Sequence, residues 1–152
     1  MNPKLLCRFA ALIIVLFAAP YVQAAPQVVE LTQVPCQFLE SEQGVDQGFK
    51  STNIRDCEAI NAKTGKDRLT RAVVLKLKPG QTIFRVTNKN VPYELGFWVR
   101  GATLVGRATL PSASGGGLTT GKTQDYAIDL KPGEYVYSCP LNPTPDYRLV
   151  VE

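Results

Sequence analysis

The stretch that most restricts how this chain can fold is its last twenty residues, Gly133 to Glu152, GEYVYSCPLNPTPDYRLVVE. Tyr135, Tyr137 and Cys139 alternate with Val136 and Ser138, the period-two pattern of a strand with one buried face. Tyr147, Leu149 and Val151 repeat that pattern further on. Between the two runs, Pro140, Pro143 and Pro145 each fix φ and remove a backbone donor, so the segment is neither helix nor inner strand. The chain therefore ends in two strands joined by a stiff loop with one cysteine at its head.

The rest reads as strands and turns once the blurred middle is set aside. Gln27 to Val34 is a first or edge strand, ended by Pro35 and Cys36. From about 37 to 71 no clean period holds, and the segment reads as an irregular insertion. Within it, Asn53-Ile54-Arg55-Asp56 ahead of Cys57, Ala59 and Ile60 predicts a short capped helix ended by Gly65. Ala72 to Lys78 alternates, Pro79-Gly80 turns and Gln81 to Thr87 alternates again, a hairpin-like pair. A strand follows over 91–101 (VPYELGFWVRG), and Thr103 to Leu110 reads as another. Pro111 to Thr120 (PSASGGGLTT) reads as a flexible crossing loop. Thr123 to Leu130 alternates before Lys131-Pro132-Gly133 turns into the final pair. Turn signals at short, even spacing over 72–152 indicate an all-β sandwich.

The Pro-Gly-x-Tyr-x-Tyr-x-Cys strand end, its loop and the closing strand resemble the ligand loop of the cupredoxins, small Greek-key β-sandwich copper proteins of the plastocyanin and azurin type. In that family the loop brings a cysteine, a histidine and usually a methionine to copper. By this resemblance the cysteine falls on Cys139, the histidine on Asn142 and the methionine on Pro145. The strand over 91–101 carries a second likeness, in which the first copper histidine falls on Leu95, two residues before Phe97. The chain has no histidine, and its one methionine is Met1. The resemblance thus implies a cupredoxin-like framework, residues 25–152, without a type 1 copper site and with no cofactor.

Residues 1–24 read as a cleavable signal peptide. Lys4 and Arg8 form a basic start, Phe9 to Ala19 an apolar run too short to span a bilayer, and Val22-Gln23-Ala24 a small-residue cleavage site. Export to a periplasm or the exterior is the expectation, with no membrane span in the mature chain. Without Lys4 and Arg8, 17 basic side chains against 13 acidic become 15 against 13, a net +2. That dispersed charge gives no footing for nucleic acid. In an oxidising compartment three cysteines remain, and Cys36 pairs with Cys57, as the resemblance to azurins also implies; Cys139 is left as a free thiol. Closing a loop of about twenty residues stabilises by roughly 3 kcal/mol in the chain-entropy account.

Candidate chemistry is sparse. Gly116 to Thr123 matches the phosphate-loop pattern GxxxxGK[ST] letter for letter, but that pattern needs a preceding strand and a following helix. Here a Ser/Gly loop precedes and a strand follows, so the match is a coincidence. No paired carboxylates or Ser-His-Asp set is present, which points away from an enzyme. Asn142, with Asn88 and Asn90, is expected to hold the loops by hydrogen bonds where a metal is absent. Tyr93, Phe97, Trp98, Arg100 and Tyr147 compose a candidate docking surface, since aromatics with an arginine make interface hot spots. The leading expectation is a non-enzymatic binding or docking module for an envelope protein. Two rivals stay open: a copper or other metal site built from Cys139 with Glu94 or Asp146, and a thiol-redox protein using Cys139, with Lys89 or Arg100 near it.

Overall fold

The computed structural model describes residues 25–152; the stretch read as a signal peptide, 1–24, lies outside them. Among the described residues nine strands make two facing sheets. The first is four-stranded, in the order β2 (Gln37–Phe38), β1 (Gln27–Val34), β4 (Gly80–Asn88), β7 (Thr123–Leu130). The second is five-stranded, in the order β3 (Leu75–Leu77), β9 (Tyr147–Val151), β8 (Gly133–Ser138), β5 (Leu95–Gly101), β6 (Ala113–Leu118). Period-two patterning places the core. Thr82, Phe84, Val86 and Asn88 point inward from β4, Tyr126, Ile128 and Leu130 from β7, Tyr135 and Tyr137 from β8, and Tyr147, Leu149 and Val151 from β9. Phe38, Phe84, Phe97, Tyr126, Tyr137 and Tyr147 interlock as one aromatic cluster, with neighbouring ring centroids 5.1 to 6.2 Å apart. Spacings in that range suit tilted and edge-to-face packing.

β1 runs parallel to β4, and β3 parallel to β9, while the remaining pairs are antiparallel. The segments 72–78 and 81–87 are therefore not a hairpin. Pro79-Gly80 passes the chain from one sheet to the other, and β4 pairs with β1 and β7.

Three other sequence expectations are corrected. The stretch 103–110 is a short helix, α2 (Leu104–Thr109), because the Thr103 hydroxyl accepts from the Gly106 N–H at 3.0 Å and caps it. A β-carbon on Gly101 would sit 2.2 Å from the Gly106 backbone, so only glycine lets this turn close against β5. The Gly-rich stretch 111–120 contains β6, paired with β5 through a register shift between Leu95 and Phe97. The insertion is not irregular throughout, since half of it is the helix α1 (Ile54–Arg71). Asn53 and Asp56 form the expected capping box, but the helix passes straight through Gly65. That glycine lies against the C-terminal loop, its β-carbon position 3.8 Å from Pro145 Cγ. Cys57, Asn61, Gly65 and Arg68 form the inward stripe of α1, spaced by about a turn each, and Cys36–Cys57 is a disulfide as expected.

Candidate functional site

Four elements converge where β8 ends. β8 delivers Cys139, the start of β5 brings Leu95 and Gly96, the end of β1 brings Gln33 to Cys36, and the first turns of α1 bring Cys57 and Asn61. Leu95, Cys139, Asn142 and Pro145 are all buried. The Cys139 sulfur accepts from the Gly96 N–H at 3.4 Å and from the Asn142 N–H at 3.2 Å. Burial pushes the thiol pKa up, and the backbone N–H groups around the sulfur only partly oppose this. Gly96 has no room for a side chain, because its β-carbon would lie 2.5 Å from the Gly115 carbonyl oxygen. Its own carbonyl accepts from Gln33 Nε2 at 2.8 Å.

Asn142 joins these parts. It is fully buried, and its Oδ1 accepts from the Cys36 N–H at 2.8 Å and touches the disulfide sulfur of Cys57 at 3.2 Å. Its Nδ2 donates to the Val34 carbonyl at 3.0 Å and faces Gln33 Oε1 at 3.4 Å. Both ends of the amide are thus committed. Cys36 follows Pro35 with φ 66°, a left-handed conformation unusual for a residue with a side chain. The disulfide, the Asn142 bond and Arg68 Nη2 donating to the Cys36 carbonyl at 2.9 Å hold it there.

A second buried cluster lies beneath. Arg68 and Glu42 are 2.6 Å apart, with side chains 3% and 5% exposed. Tyr147 donates to the same Glu42 oxygen at 2.5 Å, and Arg68 Nη1 to Asn61 Oδ1 at 2.5 Å. Asn61 Nδ2 in turn donates to the Pro143 carbonyl. Desolvation, then the Glu42 carboxylate, drive the Tyr147 pKa upward. One polar chain therefore runs from the insertion through α1 to the C-terminal loop.

The candidate docking residues divide. Phe97 and Tyr147 are core residues, 1% and 0% exposed, so they offer no surface. Arg100 is 6% exposed, donating to Asp146 at 2.7 Å and Ser138 at 3.0 Å, with its guanidinium 4.0 Å from the centre of the Trp98 ring. It is thus engaged away from the Cys139 sulfur. Only Tyr93 and Trp98 of the set are partly exposed. Two open grooves meet at Leu141, a residue the sequence reading did not single out. One, about 560 Å³, is lined by Ile54, Arg55, Tyr93, Glu94 and Leu141; the other, about 460 Å³, by Trp98, Ser114, Gly116, Pro140 and Leu141. Their walls are mainly apolar.

The residues present do not fit a type 1 copper ion. Such a site needs two imidazoles beside the thiolate, yet Leu95 has no donor atom and the Asn142 amide is spent on backbone groups. The two carboxylates considered as substitutes are engaged elsewhere, Glu94 accepting from the Gly117 N–H at 2.7 Å and Asp146 paired with Arg100. Among the described residues no group of three or more His, Cys, Asp or Glu side chains is placed to hold a metal, and no helix is long and apolar enough to cross a membrane.

No protein-family model and no curated protein matches the sequence. Among solved structures, the chain is similar to auracyanin B, a cupredoxin, with a TM-score of 0.52 and 14% identity over 86% of this chain and 93% of that one. At that identity the likeness speaks for architecture alone, and it agrees with the two facing sheets. The chain has a cupredoxin-like fold: a Greek-key β-sandwich with an N-terminal insertion pinned by the Cys36–Cys57 disulfide.

Proposed function

We propose that this chain is an exported, non-enzymatic docking module on a cupredoxin-like framework that has given up type 1 copper. The observation that carries the reading is Asn142. At the loop position where the family presents a ligand, its side chain is consumed in joining β1, the disulfide and the Cys139 loop. Binding then falls to the surface above, where Tyr93, Trp98, Pro140 and Leu141 surround two shallow apolar grooves. Exposed aromatic and aliphatic side chains around a shallow depression are the usual anchors of protein contacts. The raised pKa and burial of Cys139 weigh against a thiol-redox role, which needs an accessible thiolate.

The test has two arms. The purified protein is dialysed against Cu(I) and Cu(II) and its metal content measured; no stoichiometric retention is expected. One tightly held equivalent that Cys139→Ser abolishes would overturn the copper-free reading. In the second arm the protein and its Leu141→Glu variant are used as baits against an envelope fraction. A partner retained by the first and lost by the second is expected, and identical captures would sink the assignment of the surface.

A further inference from the structure

The end of the sandwich remote from Cys139 carries the two most exposed large apolar side chains among the described residues. Leu104 is 84% exposed and its neighbour Val105 73%. They project from the first turn of α2, whose backbone is fixed by the Thr103 cap and by the close approach of Gly106 to Gly101. Little of either side chain packs on the fold, so a rigidly held aliphatic pair stands in water.

The strand registers bring other features to this end. Gly101 closes β5 opposite Tyr135, near the start of β8. Leu110 lies against Gly133, where the Lys131–Gly133 turn enters β8. Gly80 pairs with Leu130, so the Lys78–Gly80 turn stands beside that one. The described chain also begins here: Gln27 Nε2 donates to the Lys78 carbonyl at 2.6 Å, and Ala25 and Lys78 line one cavity. Lys78, Arg107 and Lys131 are exposed, and none of the three has an ion-pair partner among the described residues. Two neighbouring acids are already matched, Glu134 with Arg148 and Glu152 with Lys76.

We propose that this end is a membrane-surface contact, in which Leu104 and Val105 enter the headgroup region of an anionic bilayer and the three free cations meet lipid phosphates. An aliphatic projection beside basic side chains is the chemistry of interfacial binding. A protein partner is disfavoured, because its anchors are mainly Trp, Tyr and Arg, with Leu and Val under-represented, and this cluster has no aromatic side chain. A second copy is disfavoured too, since a two-fold contact sets these cations against their own counterparts. The sequence before Ala25 points the same way. The apolar run of the expected leader ends at Ala19, and residues 20–24 make a tether of about 20 Å to Ala25 at full extension. A leader lodged in a bilayer therefore keeps this end close to the surface. The inference shares only the expected export with the docking reading; the Leu141 grooves lie at the other end, so the two can fail separately.

Co-sedimentation of the purified protein with vesicles tests it, phosphatidylglycerol–phosphatidylethanolamine against neutral phosphatidylcholine. The expected result is binding to the anionic vesicles that weakens as salt rises. It should fall about tenfold or more in the Leu104→Ser, Val105→Ser double variant, whose melting curve reports that the fold is kept. Amide exchange across α2, which needs no variant, should slow when anionic vesicles are added. Absent binding, equal binding to both kinds of vesicle, or unchanged exchange overturns the proposal. So does binding that the double variant retains, which is what a leader alone would give. Sedimentation velocity without lipid should show the same monomer for both proteins; a wild type that self-associates through this pair would assign it to a second copy instead.

Discussion

At the residue scale, the fold of this loop depends on how one buried amide is satisfied. Replacing Asn142 with alanine leaves the buried Cys36 N–H and Val34 carbonyl without their partner. Each orphaned group costs about 1–3 kcal/mol, so Asn142→Ala should lose about 2–6 kcal/mol in urea unfolding. A loss below about 0.5 kcal/mol would show that the amide is dispensable. That this asparagine makes hydrogen bonds holding its loop was an expectation of the sequence; that its partners are the Cys36 N–H and the Val34 carbonyl at the end of β1, and not the backbone of the proline-rich loop, was not legible. Nor was Gln33. It stands in a strand that reads as an edge, and its burial is intelligible only once Gly96 and Asn142 are seen beside it. Phe97, Arg100 and Tyr147 failed in the opposite direction: aromatic and arginine side chains look alike in a core and at an interface until the facing sheet is known.

At the element scale, strands with alternating side chains were readable and those without were not. β4, β7, β8 and β9 announce themselves by period two. β6 has three glycines in six residues and therefore no side-chain period to read. α1 extends past the expected stop because polar and covalent ties outweigh the cost of roughly 1 kcal/mol for a glycine inside a helix. Chief among those ties is the Arg68–Glu42 pair. Breaking a buried pair by removing one partner costs about 3–5 kcal/mol, while replacing both with apolar groups is far milder. Arg68→Met alone should therefore destabilise strongly, and Arg68→Met with Glu42→Leu should recover much of the loss. Additive losses in that double-mutant cycle would mean that the two side chains act independently.

At the scale of the whole molecule, buried acids with raised pKa values set the response to alkali. Burial pushes Tyr126 and Tyr137 up to about 12, and shifts Tyr135, Tyr147 and the Cys139 thiol in the same direction. Above the unfolded-state values, about 8.5 for cysteine and about 10 for tyrosine, the folded chain holds protons that the unfolded chain releases. Stability from these groups is therefore intact at lower pH and is lost as pH climbs through that range. The urea midpoint should decline above about pH 8.5 and fall more steeply above about pH 10. A midpoint that rises with alkali would contradict their burial.

The order in which the chain becomes available bears on the same architecture. β9 lies inside its sheet, between β3 and β8, and the Asn142 side chain reaches partners more than a hundred positions earlier. A nascent polypeptide lacking its final segment has neither that central strand nor the tie that fixes Cys36. Native packing must then wait for that segment, so the early strands and the late loop become ordered together rather than in turn.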